Sequence, residues 1–243
     1  MSNFADYNLG IIGFGSFGSF LAGLLPEDSR KLVFDIESRQ SSVANLEFVR
    51  LHELLQNADI IFLAVPIAVY PELLTQLRES RALIIDIASV KVEPTKLFQQ
   101  HLSADHEVLQ MHPLFGPESA ASGLDGHKLI VTGKKGDRAQ QVIDYFDSVG
   151  ADIIETTAEA HDQQMAYTHV LTFFISRALL NMKIRDVELS APSFQKLLAL
   201  EELESHHSDD LFKTIQRGNP YGDAVRQELM TALKQLEDDI VNS

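Results

Sequence analysis

The 243-residue chain contains no cysteine, which excludes disulfide bridges, thiolate metal sites and cysteine nucleophiles. It has no apolar run near the ~18 residues of a membrane-spanning helix, and nothing at its N-terminus resembles a signal peptide. Basic residues are few, 20 against 35 acidic ones, so the formal net charge is −15. That charge argues against nucleic acid and anionic membranes as partners. We therefore expect a cytoplasmic protein that acts on a small molecule and has no metal site.

A glycine motif follows the first apolar stretch, Leu9–Ile12, and leads into a predicted helix, Ser16–Leu25. The GxGxxG spacing allows a tight turn, a close approach of backbone to a pyrophosphate, and close packing of helix on strand. A glycine turn in a nucleotide-free α/β domain is the alternative. The strand–turn–helix context favours dinucleotide binding through the loop residues Gly13, Phe14, Gly15, Ser16, Phe17 and Gly18.

The second predicted strand, Lys31–Asp35, ends in an acid at the ~20-residue offset typical of dinucleotide-binding domains. A carboxylate there accepts hydrogen bonds from the adenosine ribose and repels a 2′-phosphate, which favours NAD. Arg39 keeps NADP possible as the cofactor. A third strand, within Ala58–Pro66, ends where a loop over the cofactor would begin, so Val65 and Pro66 are further candidate cofactor contacts.

Apolar strands and helical patterns alternate as far as Glu155. This alternation predicts an α/β, Rossmann-type, doubly wound and mostly parallel sheet. Thr156 and Glu159 have the spacing of a capping box, and only helical patterns follow them. We therefore predict a dinucleotide-binding domain over residues 1–156 and an all-helical C-terminal domain over residues 157–243.

His112 lies between an apolar run and a loop stiffened by Pro113 and Pro117. Ser89 follows the predicted strand Ala82–Asp86. Because open α/β sheets bind ligands at the carboxyl ends of their strands, we expect Ser89 and His112 to be neighbours at that edge. An imidazole titrates near neutral pH and is suited to moving a proton. A packed histidine–proline turn is the simpler alternative.

One face of the long helix that follows the predicted domain boundary carries Met165, His169, Phe173 and Arg177 at four-residue intervals. His169 is either a core residue or a ligand. Arg177 is costly to bury without an anion, so it is a surface residue, a partner of an acid, or a substrate clamp.

Taken together, several motifs resemble the prephenate/arogenate dehydrogenase family of tyrosine biosynthesis. They are the glycine motif, Asp86-Ile-Ala-Ser-Val-Lys91, His112-Pro-Leu-Phe-Gly-Pro117 and His161-Asp162. The resemblance implies a stand-alone oxidoreductase that moves a hydride from C4 of a cyclohexadienol to a nicotinamide, with loss of CO₂. It further implies that His112 accepts the hydroxyl proton and that Ser89 supports the hydroxyl and the histidine. Homodimers built through the helical domain are also implied. Lys91 is a candidate substrate contact because it lies, like Ser89, just beyond the carboxyl end of a predicted parallel strand.

The sequence does not decide whether the substrate is prephenate or arogenate. In the family that this chain resembles, prephenate-specific members commonly carry an arginine where this chain has Gln195, next to Lys196. Many members also carry a histidine where this chain has Phe173. The segment Ser193–Glu201 looks more like the plant arogenate enzymes. Two other functions stay open as well: a redox-responsive dinucleotide-binding module, and a dehydrogenase or imine reductase of the same architecture with an unrelated substrate.

Overall fold

The computed structural model describes residues 4–205 and 208–242. The chain divides into two compact units, the first ending at Ala158 and the second beginning at Glu159.

The first unit is built on an eight-stranded sheet in the described part of the chain, with the order β3-β2-β1-β4-β5-β6-β7-β8. Neighbouring strands pair in parallel, except that β6 and β7 are antiparallel. The mostly parallel, doubly wound sheet is therefore confirmed. The strands are β1 Leu9–Ile12, β2 Lys31–Phe34, β3 Leu46–Phe48, β4 Ile60–Leu63, β5 Leu83–Asp86, β6 Val108–Pro113, β7 Lys128–Lys135 and β8 Asp152–Glu155.

Both faces of this sheet are covered, as expected of parallel strands that read as continuous apolar runs. Residues of β4 alternate between two separate core clusters: Ile60 and Phe62 belong to one, Ile61 and Leu63 to the other. The helices of this unit are α1 Ser16–Leu24, α2 Leu51–Asn57, α3 Tyr70–Gln76, α4 Val92–His101 and α5 Asp137–Ser148. The sheet order reverses between β1 and β4, and the loops that leave their carboxyl ends flank the position where such sheets bind ligands.

The described part of the second unit is helical, as predicted. Its helices are α6 Ala158–Met165, a π-helical segment Ala166–Leu171, α7 Thr172–Met182, α8 Pro192–Ser205, α9 Asp209–Gly218 and α10 Gly222–Val241. Because α6 begins at Ala158, Thr157 precedes it directly, one residue later than the predicted capping box requires. Among the described helices, none combines the length and the apolarity needed to span a bilayer.

Candidate active site

The glycine loop joins β1 to α1, and two of its glycines are required by close contacts. Gly13 has a φ of +97°, and a Cβ on it would lie 2.4 Å from the carbonyl oxygen of Ala64. A Cβ on Gly18 would lie 2.1 Å from the carbonyl oxygen of Gly13. Both distances are impossible for a real Cβ, so the turn and the approach of α1 to β1 depend on glycine.

Gly15 differs from these two because a Cβ on it would meet nothing within 4 Å. Its φ of −73° is also open to any residue, so the fold does not require a glycine there. Gly15 caps α1, whose first intrahelical hydrogen bond runs from the Ser19 amide to the Gly15 carbonyl at 3.0 Å. The amides of Ser16 and Phe17 precede that bond and suit an anion. Open space at Gly15 and these amides fit a bound pyrophosphate.

Phe14 contacts two other segments of the first unit. Its ring is buried and packs edge-on against Phe48 of β3, with ring centroids 5.1 Å apart. Its amide donates a 2.6 Å hydrogen bond to Oδ2 of Asp35. Since this amide is bound to a carboxylate, it links the glycine loop to Asp35, and a cofactor contact by Phe14 stays a prediction.

Asp35 stands directly after β2, and its carboxylate is anchored by the backbone. Besides the Phe14 amide at Oδ2, the Glu37 amide donates to Oδ1 at 2.8 Å. A carboxylate oxygen accepts more than one hydrogen bond, so ribose hydroxyls can still be bound. Arg39, the residue that kept NADP possible, forms an ion pair with Glu37 at 2.6 Å.

Two further residues lie beside this loop. Val65 follows β4, and its Cγ1 would lie 2.7 Å from a Cβ on Gly13. The structure thus brings Val65 to the glycine loop, with the exposed Pro66 next along the chain. Ile36, immediately after Asp35, is 92% exposed.

His112 lies within β6, not in the loop after it. The strand continues to Pro113, and His112 pairs with Ile130 of β7. Gln110 pairs with Gly133 of β7 and Met111 pairs with Val131, so Thr132 of β7 has no partner on β6. Irregularities of this kind change the direction of the side chains that follow them. The imidazole is buried, with 3% of the residue exposed.

Ser89 is half-buried and follows β5, which pairs in parallel with β6. The register places Asp86 opposite Gln110, so Ser89 and His112 both lie beyond the last residues that β5 and β6 pair with each other. The two residues therefore come from the carboxyl end of the sheet, the edge at which the glycine loop also lies.

The loop after His112 is tied to the helix after the glycine loop. Phe115 is buried, with its ring 6.4 Å from that of Phe20 on α1 and 5.7 Å from that of His127. The two sequence motifs are therefore held together within one packed core.

Lys91 was expected to contact substrate, but its side chain is completely buried. The ammonium group lies 2.5 Å from Oδ2 of Asp86 and donates a 2.7 Å hydrogen bond to the carbonyl of Met111. The hydroxyl of Tyr70 donates to Oδ1 of the same carboxylate at 2.8 Å. A buried lysine whose charge is balanced by an aspartate has an internal role, which corrects the expectation that Lys91 contacts substrate. Sequence reasoning missed Tyr70, although Asp86 and Lys91 flank the Ser89 loop in the quoted motif.

Burial raises the pKa of the Tyr70 phenol well above its usual value, and the charge of Asp86 adds to that effect. The phenol therefore stays protonated and continues to donate to Asp86.

In the second unit, the candidate residues make internal contacts. Arg177 forms a 2.7 Å ion pair with Asp209, and its guanidinium lies 4.2 Å from the ring centroid of Phe212. Of the three options, Arg177 is thus a partner of an acid. Its hydrogen bond, and then its charge, lower the pKa of Asp209. The His169 ring is 5.6 Å from that of Phe173.

The Gln195 amide donates to Oδ1 of Asp186 at 2.9 Å and to the hydroxyl of Ser190 at 2.6 Å. Lys196 is exposed. His161 and Asp162 form a buried pair, with Nδ1 and Oδ1 2.8 Å apart.

The sheet order, the glycine loop and the anchored Asp35 define a Rossmann-type dinucleotide-binding unit joined to a helical unit. Residues 31–155, about half of the chain, match the family described as "Prephenate dehydrogenase, nucleotide-binding domain". The chain belongs to this family, which confirms the resemblance drawn from the motifs.

Relatives and solved structures agree with this assignment. Arogenate dehydrogenases 2 and 1 of Arabidopsis thaliana, both named as chloroplastic, are 28% and 25% identical over 94% and 96% of this chain. The chain spans only 66% and 39% of their respective lengths. Prephenate dehydrogenase from A. aeolicus, 18% identical, superposes with a TM-score of 0.77 over 97% of this chain and 91% of its own, which shows a shared fold.

Proposed function

We propose that this chain catalyses the NAD-dependent oxidative decarboxylation of prephenate or arogenate in tyrosine biosynthesis. The observation that carries the proposal is the buried His112, set by an irregular strand pairing at the ligand-binding edge of a prephenate dehydrogenase-family sheet. The titles of the relatives support it, since they name arogenate and prephenate dehydrogenases, and the A. aeolicus enzyme was solved with NAD+.

The residues present fit a bound dinucleotide. The amides of Ser16 and Phe17 and the open backbone at Gly15 would hold the pyrophosphate, and Asp35 would bind the ribose. NAD, when bound, supplies the hydride acceptor. Asp35 and the Glu37–Arg39 ion pair favour NAD over NADP, because a 2′-phosphate would meet one carboxylate and compete with another for the guanidinium.

The chemistry left to the protein is proton transfer and positioning. Removal of hydride from a carbinol carbon requires loss of the hydroxyl proton, and His112 accepts it as general base. Ser89 donates a hydrogen bond that orients the same hydroxyl. Loss of CO₂ needs no protein acid, because it completes an aromatic ring. Burial of His112 limits the access of water to the reacting group.

Spectrophotometric assays of the reduced nicotinamide test this proposal directly. Prephenate and arogenate are each supplied with NAD and with NADP. We expect turnover with at least one substrate, and a higher kcat/KM with NAD than with NADP. NAD binding without turnover of either substrate would instead favour a redox-responsive binding module, and reduction of a cyclic imine by NADH would favour an imine reductase.

We also propose that the chain forms a homodimer through its helical unit. The C-terminal half of α10 is exposed, and one stripe of it is apolar: Met230, Leu233, Leu236, Ile240 and Val241 are 50–73% exposed. The first four recur every three or four residues, which places them along one side of the helix, and Val241 ends the helix beside them. An apolar stripe of this length matches a second copy of itself, as in a twofold helix pairing. A cytoplasmic location stays a prediction from composition.

The double substitution Leu233→Glu with Leu236→Glu should convert the dimer to a monomer, because four like charges would meet across a twofold contact. Size-exclusion chromatography with light scattering measures the mass. The matched control is Thr231→Glu with Gln235→Glu, which adds the same charge to the opposite side of α10. Equal masses for the two variants, or a monomeric parent chain, would remove this interface.

A further inference from the structure

A completely buried ionic cluster joins the end of β5 to β6 in the first unit. We infer that Asp86, Lys91 and Tyr70 act as positioning residues that fix His112 and Ser89 for proton transfer, an inference that rests on the proposed function.

Lys91 connects the two segments that carry the proposed catalytic pair. It lies two residues after Ser89 and immediately before α4. Its ammonium group donates to the carbonyl of Met111, the residue directly before His112 on β6, at 2.7 Å. The pairing of β6 with β5 ends at Gln110, so sheet hydrogen bonds from β5 do not hold this part of the strand. Lys91 thus supplies on the β5 side a constraint that the sheet does not.

Asp86 fixes the lysine in turn. Its Oδ2 accepts from Lys91 at 2.5 Å, and its Oδ1 accepts from the Ala88 amide at 2.9 Å and from the Tyr70 hydroxyl at 2.8 Å. Tyr70 begins α3, which follows the loop that contains Val65. One carboxylate therefore binds groups from the Ser89 loop and from the segment that borders the glycine loop.

The energetics of burial indicate that the Asp86–Lys91 pair serves to position other groups and not to stabilise the fold. Asp86 and Lys91 have no exposed side-chain surface. Removing two charges from water costs about as much as their attraction returns, and apolar replacements are often neutral or stabilising. What the pair provides beyond an apolar filling is a directional constraint on the Met111 carbonyl. Since small displacements of a catalytic group are costly, that constraint acts on rate.

The test uses Asp86→Asn with Lys91→Met, which removes both charges and leaves the asparagine Oδ1 to accept from Tyr70 and Ala88. We expect cooperative unfolding and NAD affinity close to those of the parent chain, KM within about threefold, and kcat lower by roughly tenfold to a hundredfold. The midpoint of the acid limb of the pH–rate profile should also differ between this double variant and the parent chain. Tyr70→Phe, which removes one hydrogen bond, should show the same pattern at smaller size.

The control is Glu107→Gln with Arg138→Met. That pair, 2.7 Å apart, clamps the opposite end of β6, and Arg138 also donates to the Asp59 carbonyl. This control double variant should lower the free energy of unfolding and leave kcat and the pH–rate profile unchanged.

Two kinetic outcomes would overturn the inference, and a third outcome, measured by NMR, would do so as well. One is a folded Asp86→Asn/Lys91→Met or Tyr70→Phe variant with parental kcat and pH profile. The other is an equal fall of kcat in the Glu107/Arg138 control. If the parent chain turns over neither prephenate nor arogenate, the proposed function fails, and the titration of the His112 ring by NMR still decides the positioning claim. The ring titration midpoint should differ between parent and cluster variants and not between parent and control; an unchanged midpoint overturns it.

Discussion

Replacing His112 with asparagine should lower kcat by roughly 10²–10⁴-fold, the contribution typical of a positioned general base. Asparagine retains polarity and hydrogen bonding and is smaller than histidine, so the backbone pairing with Ile130 and the packing of Phe115 should persist. NAD affinity should also persist, because the glycine loop and Asp35 are untouched. Steady-state rates with prephenate and arogenate, together with NAD titrations, measure the two effects separately.

His52→Asn provides the comparison, since His52 is an exposed histidine on α2 of the same unit. It should match the parent chain in rate, affinity and stability. If His112→Asn turns over substrate at the parental rate, or if its loss of rate is accompanied by an equal loss of NAD affinity, His112 is not the base.

The sheet could be predicted well from sequence because its central strands are buried on both faces. β4 and β5 read as nearly continuous apolar runs, and both form as predicted. β3 was missed: it is three residues long and half-exposed at the edge of the sheet, so it carries no comparable hydrophobic signal.

The end of β6 shows where a local rule fails. The apolar pattern predicted a strand that ends at Met111, before His112 and Pro113, and proline cannot donate to a ladder. The strand nevertheless includes Pro113, since beyond Gln110 it pairs only with β7, and proline is tolerated where its nitrogen has no ladder partner. The Leu114 amide then continues the ladder by donating to the Lys128 carbonyl at 2.9 Å.

The role of Lys91 could not be predicted from its position near the ligand-binding edge. A lysine there suits an anionic substrate, and its burial depends on a strand partner, Met111, 20 residues away. Within the second unit, helical periodicity was projected unbroken from Thr156 to Lys183. The π-helical segment Ala166–Leu171 widens the helix there, which changes how His169 relates to Phe173 and Arg177. Nothing in a 3.6-residue pattern reports such a segment.

Gly15→Ala should separate nucleotide binding from folding. The added Cβ meets no protein atom within 4 Å, and the φ of −73° suits alanine, so stability should be unchanged or slightly raised. The methyl group would occupy the space into which we propose the pyrophosphate fits, so the Kd for NAD should rise by about tenfold or more, about 1.4 kcal/mol. Isothermal titration calorimetry and urea unfolding measure these quantities.

Two other glycines of α1, Gly23 and Gly18, provide the controls for Gly15→Ala. Gly23→Ala lies on the exposed side of the same helix, also with nothing within 4 Å, and should leave NAD affinity unchanged while slightly stabilising α1. Gly18→Ala should instead lower the free energy of unfolding by about 1–3 kcal/mol and lose NAD binding as well, because its Cβ would lie 2.1 Å from the Gly13 carbonyl oxygen. If Gly15→Ala binds NAD as tightly as Gly23→Ala does, the open space at Gly15 is not where the pyrophosphate lies. Because the fold does not require a glycine there either, position 15 would then have no part in holding the dinucleotide.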